Sequence, residues 1–112
     1  MVEKDLRSAS RLSVNQRGNL NAGDEWFPCL IVDMSNSGIL LMSIREFSVG
    51  QILTFKSELF PDKFLECKLE VVHVDDGRLG TKIIEIDNPG LNLCQAYLEE
   101  QYAVRLAKLG PK

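Results

Sequence analysis

From Leu65 to Val71 every second residue is apolar (Leu65, Cys67, Leu69, Val71), and every residue between them is charged. A period of two is the signature of a strand with one buried face, and it excludes a helix there. Turn chemistry brackets the run. Phe60-Pro61-Asp62-Lys63 precedes it, with proline preset for a tight bend. Asp76-Gly77 follows it, a strong two-residue hairpin signal, and the chain returns from Arg78 to about Ile86. The alternation slips at Val72 and Val74, which predicts a bulge. Shorter runs over 12–20, 26–35, 39–43 and 51–59 read as further strands, with turn signals at Asn19–Asp24 and Ser48-Val49-Gly50. Short strands at such regular spacing predict a mainly β fold, a small antiparallel barrel of six to seven strands.

The tail follows a different rule. Asn88 is expected to cap a helix that begins at Pro89, where a missing N–H costs nothing. Leu91, Cys94, Leu98 and Tyr102 form its apolar stripe, expected to cover an open end of the barrel. At 112 residues the chain has room for one domain: an arm over 1–11 expected to be flexible, a barrel over 12–87, and a helix over 88–109.

Composition narrows the function. Cys29, Cys67 and Cys94 are odd in number and set in apolar surroundings, so they read as reduced, packed thiols and not as disulfides or metal ligands. No apolar leader or membrane-length segment is visible, which points to a cytoplasmic protein without membrane insertion. A net charge of −3 suits a nucleic-acid polymer poorly, because such binding neutralises many phosphates. A small anion needs only a local patch, and Lys4, Arg7, Arg11 and Arg17 supply one near the N-terminus. No catalytic group stands out. The single histidine, His73, lies in a strand, where a hydrogen bond on the barrel face is the expected role. Nucleophile elbows, phosphate loops and Cys-x-x-Cys pairs are missing from the sequence. Trp26 and Phe27 have no basic groove around them and read as core or patch residues.

Two short patterns carry the chemistry. Arg7-Ser-Ala-Ser-Arg11 places two guanidinium groups before the first strand, and Asp33-Met-Ser35-Asn-Ser-Gly38 places a carboxylate, a hydroxyl and a glycine at the end of the second. A guanidinium fork matches the O6 and N7 acceptors of guanine and also clamps phosphates. An ionised carboxylate accepts from the N1–H and N2–H edge of the same base. Strand alternation turns Asp33 and Ser35 outward and Leu30, Val32 and Met34 to the core, with Gly38 expected at positive φ.

Either pattern alone is common, as terminal charges or as ordinary turn residues. In this order, with a strand-sized interval, RSASR and DMSNSG together resemble the two-part signature of PilZ domains, bacterial receptors for cyclic di-GMP. The likeness runs on through LECKLEVVHVDDGRLGTKIIEI to the C-terminal helix. It implies a small β-barrel with a terminal helix, no catalysis, and cyclic di-GMP held by Arg7, Arg11, Asp33, Ser35 and Gly38. Closure of the arm over the ligand would inform a downstream protein partner that controls motility, adhesion, pili or exopolysaccharide. Leu6, uncharged before the first arginine, favours one bound ligand over two. Two other readings stay open: a PilZ-like protein-interaction module without nucleotide, and an oligonucleotide-binding barrel, which the acidic composition disfavours.

Overall fold

A computed structural model describes residues 12–109; Arg7, Arg11 and the rest of the arm lie outside the described residues. Six strands, β1 (Leu12–Asn21), β2 (Trp26–Met34), β3 (Gly38–Met42), β4 (Ile52–Phe60), β5 (Lys63–Asp75) and β6 (Arg78–Glu85), precede one helix, α1 (Asn88–Leu109). The strands close into an antiparallel barrel in the order β1-β2-β3-β6-β5-β4. The mainly β architecture with a terminal helix agrees with the sequence reading.

Local chemistry explains the corners. Pro61 and Asp62 make a two-residue turn between Phe60 and Lys63, with Asp62 at φ 64° and its amide donating to Glu58 Oε2 at 2.8 Å. Asp76 and Gly77 both adopt positive φ, the geometry a twisted hairpin favours. The expected bulge in β5 is present as a register shift between Val71 and His73. Val72 and Val74 nevertheless stay exposed, because the hairpin runs on beyond the packed part of the barrel. His73 is exposed as well, and its ring makes no hydrogen bond to the described residues, contrary to the expectation.

In the barrel interior Leu20, Ile31, Leu41, Leu53, Phe55, Leu65, Leu69 and Val71 are fully buried. Gly18 faces the Phe55 ring so closely that a Cβ would stand 2.6 Å from Phe55 Cε1. A side chain there would overlap the ring.

One seam of the barrel is incomplete, and this fixes where the helix goes. β1 pairs with β4 only over Asn19–Asn21 and Thr54–Lys56. Below that point polar groups bridge the gap: Ser57 Oγ donates to the Arg17 carbonyl at 2.6 Å, and Gln16 Nε2 to the Glu58 carbonyl at 2.8 Å. The helix covers this wedge. Cys94, Tyr97 and Leu98 are buried beneath it, and Tyr97 meets Phe60 edge-to-face at 5.8 Å. The buried stripe therefore differs from the expected one, since Leu91 and Tyr102 are exposed. The cap also moves by one residue. Asp87 Oδ1 accepts from the Gly90 amide at 2.8 Å, so Asp87 is the N-cap and Asn88 the first helical residue.

Candidate functional site

The β2–β3 turn lies at the helix-covered end of the barrel. Ser35 organises it. Its amide donates to the Gly38 carbonyl at 2.9 Å, and its hydroxyl accepts from the amides of Ser37 at 3.2 Å and Gly38 at 3.3 Å. Its carbonyl is approached by the Cys94 thiol, 3.9 Å away on the helix. Every polar group of Ser35 is thus satisfied inside the protein, and the residue is buried. A serine that accepts from amides two and three residues on is a side-chain turn, which fixes the backbone more tightly than glycine freedom would.

Three sequence expectations change here. Ser35 does not share an outward face with Asp33, and Leu30 and Val32 do not face the core. Cys29 and Ile31 point inward, and so does Met34. The β2–β3 register shift between Ile31 and Asp33 lets both Ile31 and Met34 point inward, while Ser35, just past β2, is drawn in by its turn bonds. A bulge adds one residue to one strand and reverses the faces beyond it. Gly38 is not at positive φ; it is the first residue of β3, paired with Lys82. Only Asn36 and Ser37 at the turn tip are exposed. The Ser37 carbonyl accepts from the Ile83 amide at 2.9 Å, tying the tip to β6.

Asp33 stands half-buried opposite Ser13 in the β1–β2 ladder, and Leu12 stands opposite Met34. The first described residue of β1, to which the arginine segment is joined, is therefore adjacent to the motif turn. The structure brings Asp33, Ser35 and Gly38 together; Arg7 and Arg11 lie outside the described residues. Arg17 belongs to another region, where it lines a cavity of about 1080 Å³ with Pro28, Met42, Ile44 and Arg45. In that region the Arg45 guanidinium sits 4.5 Å from the Phe27 ring centre and 5.8 Å from that of Phe47. Trp26 is half-exposed.

The thiols are poor nucleophiles. Burial pushes Cys29 and Cys67 up to about 12 and Cys94 to about 11, so all three stay protonated near neutral pH. Among the described residues no group of three metal-binding side chains occurs, and no helix is long and apolar enough to cross a membrane.

The PilZ domain family model matches residues 5–100, and the chain belongs to that family. PilZ domains are binding and effector modules associated with cyclic di-GMP as ligand. Three solved structures share the fold. MotI/DgrA, the inhibitor of motility of Bacillus subtilis, aligns at 15% identity with a TM-score of 0.71, covering 83% of this chain and 49% of that one. This chain thus spans about half of MotI. The PilZ domain of CeSA from a cellulose-synthesizing bacterium aligns at 14% identity with a TM-score of 0.62, covering 77% and 95%. An uncharacterized Legionella protein aligns at 16% identity with a TM-score of 0.56, covering 85% and 96%. No curated protein sequence matches the chain.

The sequence motif located the turn but not its supports. Cys94 was visible as a helix-stripe residue, yet nothing local to it indicates that its thiol meets the Ser35 carbonyl. That contact joins residues 59 positions apart.

Proposed function

We propose that this chain is a cyclic di-GMP receptor in the cytoplasm, one that binds the nucleotide and catalyses nothing. The observation that carries the reading is the ladder register that sets Leu12 opposite Met34 and Ser13 opposite Asp33. Leu12, onto which the Arg7-x-x-x-Arg11 segment is joined, thus stands beside the turn that carries the second half of the family motif. In this reading the two guanidinium groups engage guanine acceptors and phosphates, and Asp33 accepts from a guanine N–H edge. Ser35 and Gly38 act mainly by shaping the turn, since their polar groups hold each other. They present the Asn36 and Ser37 tip to the ligand.

Energetics set the scale. Ordering five arm residues costs on the order of 1–2 kcal/mol each. A net of about −8 kcal/mol, near micromolar, remains after the arginine contacts exceed that cost. Docking of the arm then becomes the signal to a protein partner in motility, adhesion, pilus or exopolysaccharide control.

The test is an equilibrium titration with cyclic di-GMP, with GTP and cyclic GMP as controls, followed by amide NMR. Saturable binding with shifts collecting over Asp33–Gly38 supports the receptor. An interaction module that lacks the nucleotide would leave those amides unmoved.

A further inference from the structure

We propose that Arg105, on the penultimate turn of α1, supplies a further guanidinium to the nucleotide site, held ready by the carbonyl of Ser13. The proposal rests on the cyclic di-GMP reading and adds to it a residue that neither family motif contains.

The geometry begins with the open seam. Below Asn19 β1 has no strand partner on its β4 side. The helix runs along this stretch from the Tyr97 hydroxyl, 3.5 Å from Gln16 Oε1, to Arg105 Nη2, which donates to the Ser13 carbonyl at 2.9 Å. Eight helical residues advance about 12 Å, and three strand residues about 10 Å. The helix and the strand therefore run side by side in opposite directions. This brings the helix C-terminal end to the root of the arginine arm. Ser13, which anchors Arg105, is the residue opposite Asp33.

The state of the Arg105 charge gives the contact its meaning. A guanidinium has five N–H donors. Among the described residues Arg105 donates to one main-chain carbonyl and forms no ion pair. Its charge is thus oriented and not neutralised by a carboxylate. A cation near a helix C-terminus also gains from the macrodipole, and Lys108 in the last turn serves that purpose without a tether. Orientation toward the Ser13–Asp33 rung is what the dipole alone does not require. A cyclic dinucleotide carries two phosphates, and Arg7 and Arg11 are also needed at its bases. A third fork one strand away from Asp33, on the Ser13 carbonyl, suits one of those phosphates.

The experiment measures cyclic di-GMP affinity by calorimetry over a series of salt concentrations, for the intact chain and for Arg105→Ala, Arg105→Lys and Arg11→Ala. Arg105→Ala is expected to weaken binding about ten-fold. It should also make the affinity less sensitive to salt, the mark of a lost contact between opposite charges. Arg105→Lys should restore the salt slope and part of the affinity, because it keeps the charge and loses the fork. A residue that merely ties down the helix would lower the melting midpoint and leave the salt slope alone; that pattern overturns the proposal. Wild-type affinity and slope in Arg105→Ala, with binding lost in Arg11→Ala, also overturns it while the receptor reading stands. An intact chain that does not bind cyclic di-GMP defeats both.

Discussion

The two ends of the barrel are built on opposite plans. At the helix-covered end, polar groups are directed inward to hold a turn: the Ser35 hydroxyl on two amides, Gln16 across the β1–β4 gap, Thr81 Oγ1 on the Ile39 carbonyl at 2.7 Å. At the opposite end, where the β3–β4 loop meets the Asp76-Gly77 hairpin, Ser43 donates its amide to the Gly77 carbonyl and apolar side chains point outward. Met42, Ile44 and Val74 are exposed there, around a sizeable cavity. Cavity size and exposed apolar surface would therefore direct attention away from the family motif. In the proposed reading the arm closes over the ligand and supplies one wall, so no preformed cavity is required. In that reading the ligand needs a rigid turn, and the Ser35-held turn belongs to the helix-covered end.

The largest expected effect tests whether the ends are assigned correctly. Arg7→Ala or Arg11→Ala should each lower cyclic di-GMP affinity at least ten- to a hundredfold, the scale of one lost bidentate contact. Folding stability should change by less than about 0.5 kcal/mol, as for surface substitutions. Calorimetry paired with thermal melts reads both quantities. Undiminished affinity in both variants would break the assignment.

Gly18→Ala examines the barrel wall between the two ends. The added Cβ meets the fully buried Phe55 ring at 2.6 Å, and overpacking of this kind costs about 1–3 kcal/mol. Denaturant unfolding should show a lower midpoint with an unchanged slope. A shortfall in nucleotide binding that matches the loss of folded protein, and no more, is expected.

Ser35→Ala acts on the turn itself. It leaves the amides of Ser37 and Gly38 without their acceptor, a loss of about 1–2 kcal/mol. Here the two readouts should separate: a modest drop in melting midpoint and a larger proportional loss of affinity, because the turn is what presents Asn36 and Ser37. Equal losses would reduce Ser35 to a purely structural residue.

Much of this architecture was legible in the sequence, and what was not has a common cause. The Asp76-Gly77 and Pro61-Asp62 corners are local chemistry, and the alternation from Leu65 to Val71 is a local period, so both survive folding unchanged. Faces beyond a bulge depend on the neighbouring strand. Leu30 and Val32 carry nothing that reveals the register shift between Ile31 and Asp33. The inward position of Ser35 follows instead from its bonds to the Ser37 and Gly38 amides, just past the end of β2. The helix stripe erred for a related reason. Periodicity marks Leu91, Cys94, Leu98 and Tyr102 alike, but the residues the helix buries are Cys94, Tyr97 and Leu98. The two motifs were readable as letters; the support of the second by Cys94 was not, since that contact joins distant parts of the chain.

The smallest expected effect lies at the opposite end and is the control on the comparison. Arg45 stacks on Phe27 and Phe47, themselves edge-to-face at 6.3 Å. Truncation by Arg45→Ala removes a cation–π contact worth about 0.5–1 kcal/mol at an exposed site. The melting midpoint should fall slightly, and the affinity for cyclic di-GMP should not move. The rings keep each other's company without the guanidinium, so the β3–β4 loop retains its path. A changed affinity in this variant would mean that the two ends are mechanically joined through β2 and β3, whose strands connect Phe27 to Asp33 and Gly38 to Met42. The rigid turn would then be a reporter of the open end, and the division of labour between the ends would have to be redrawn.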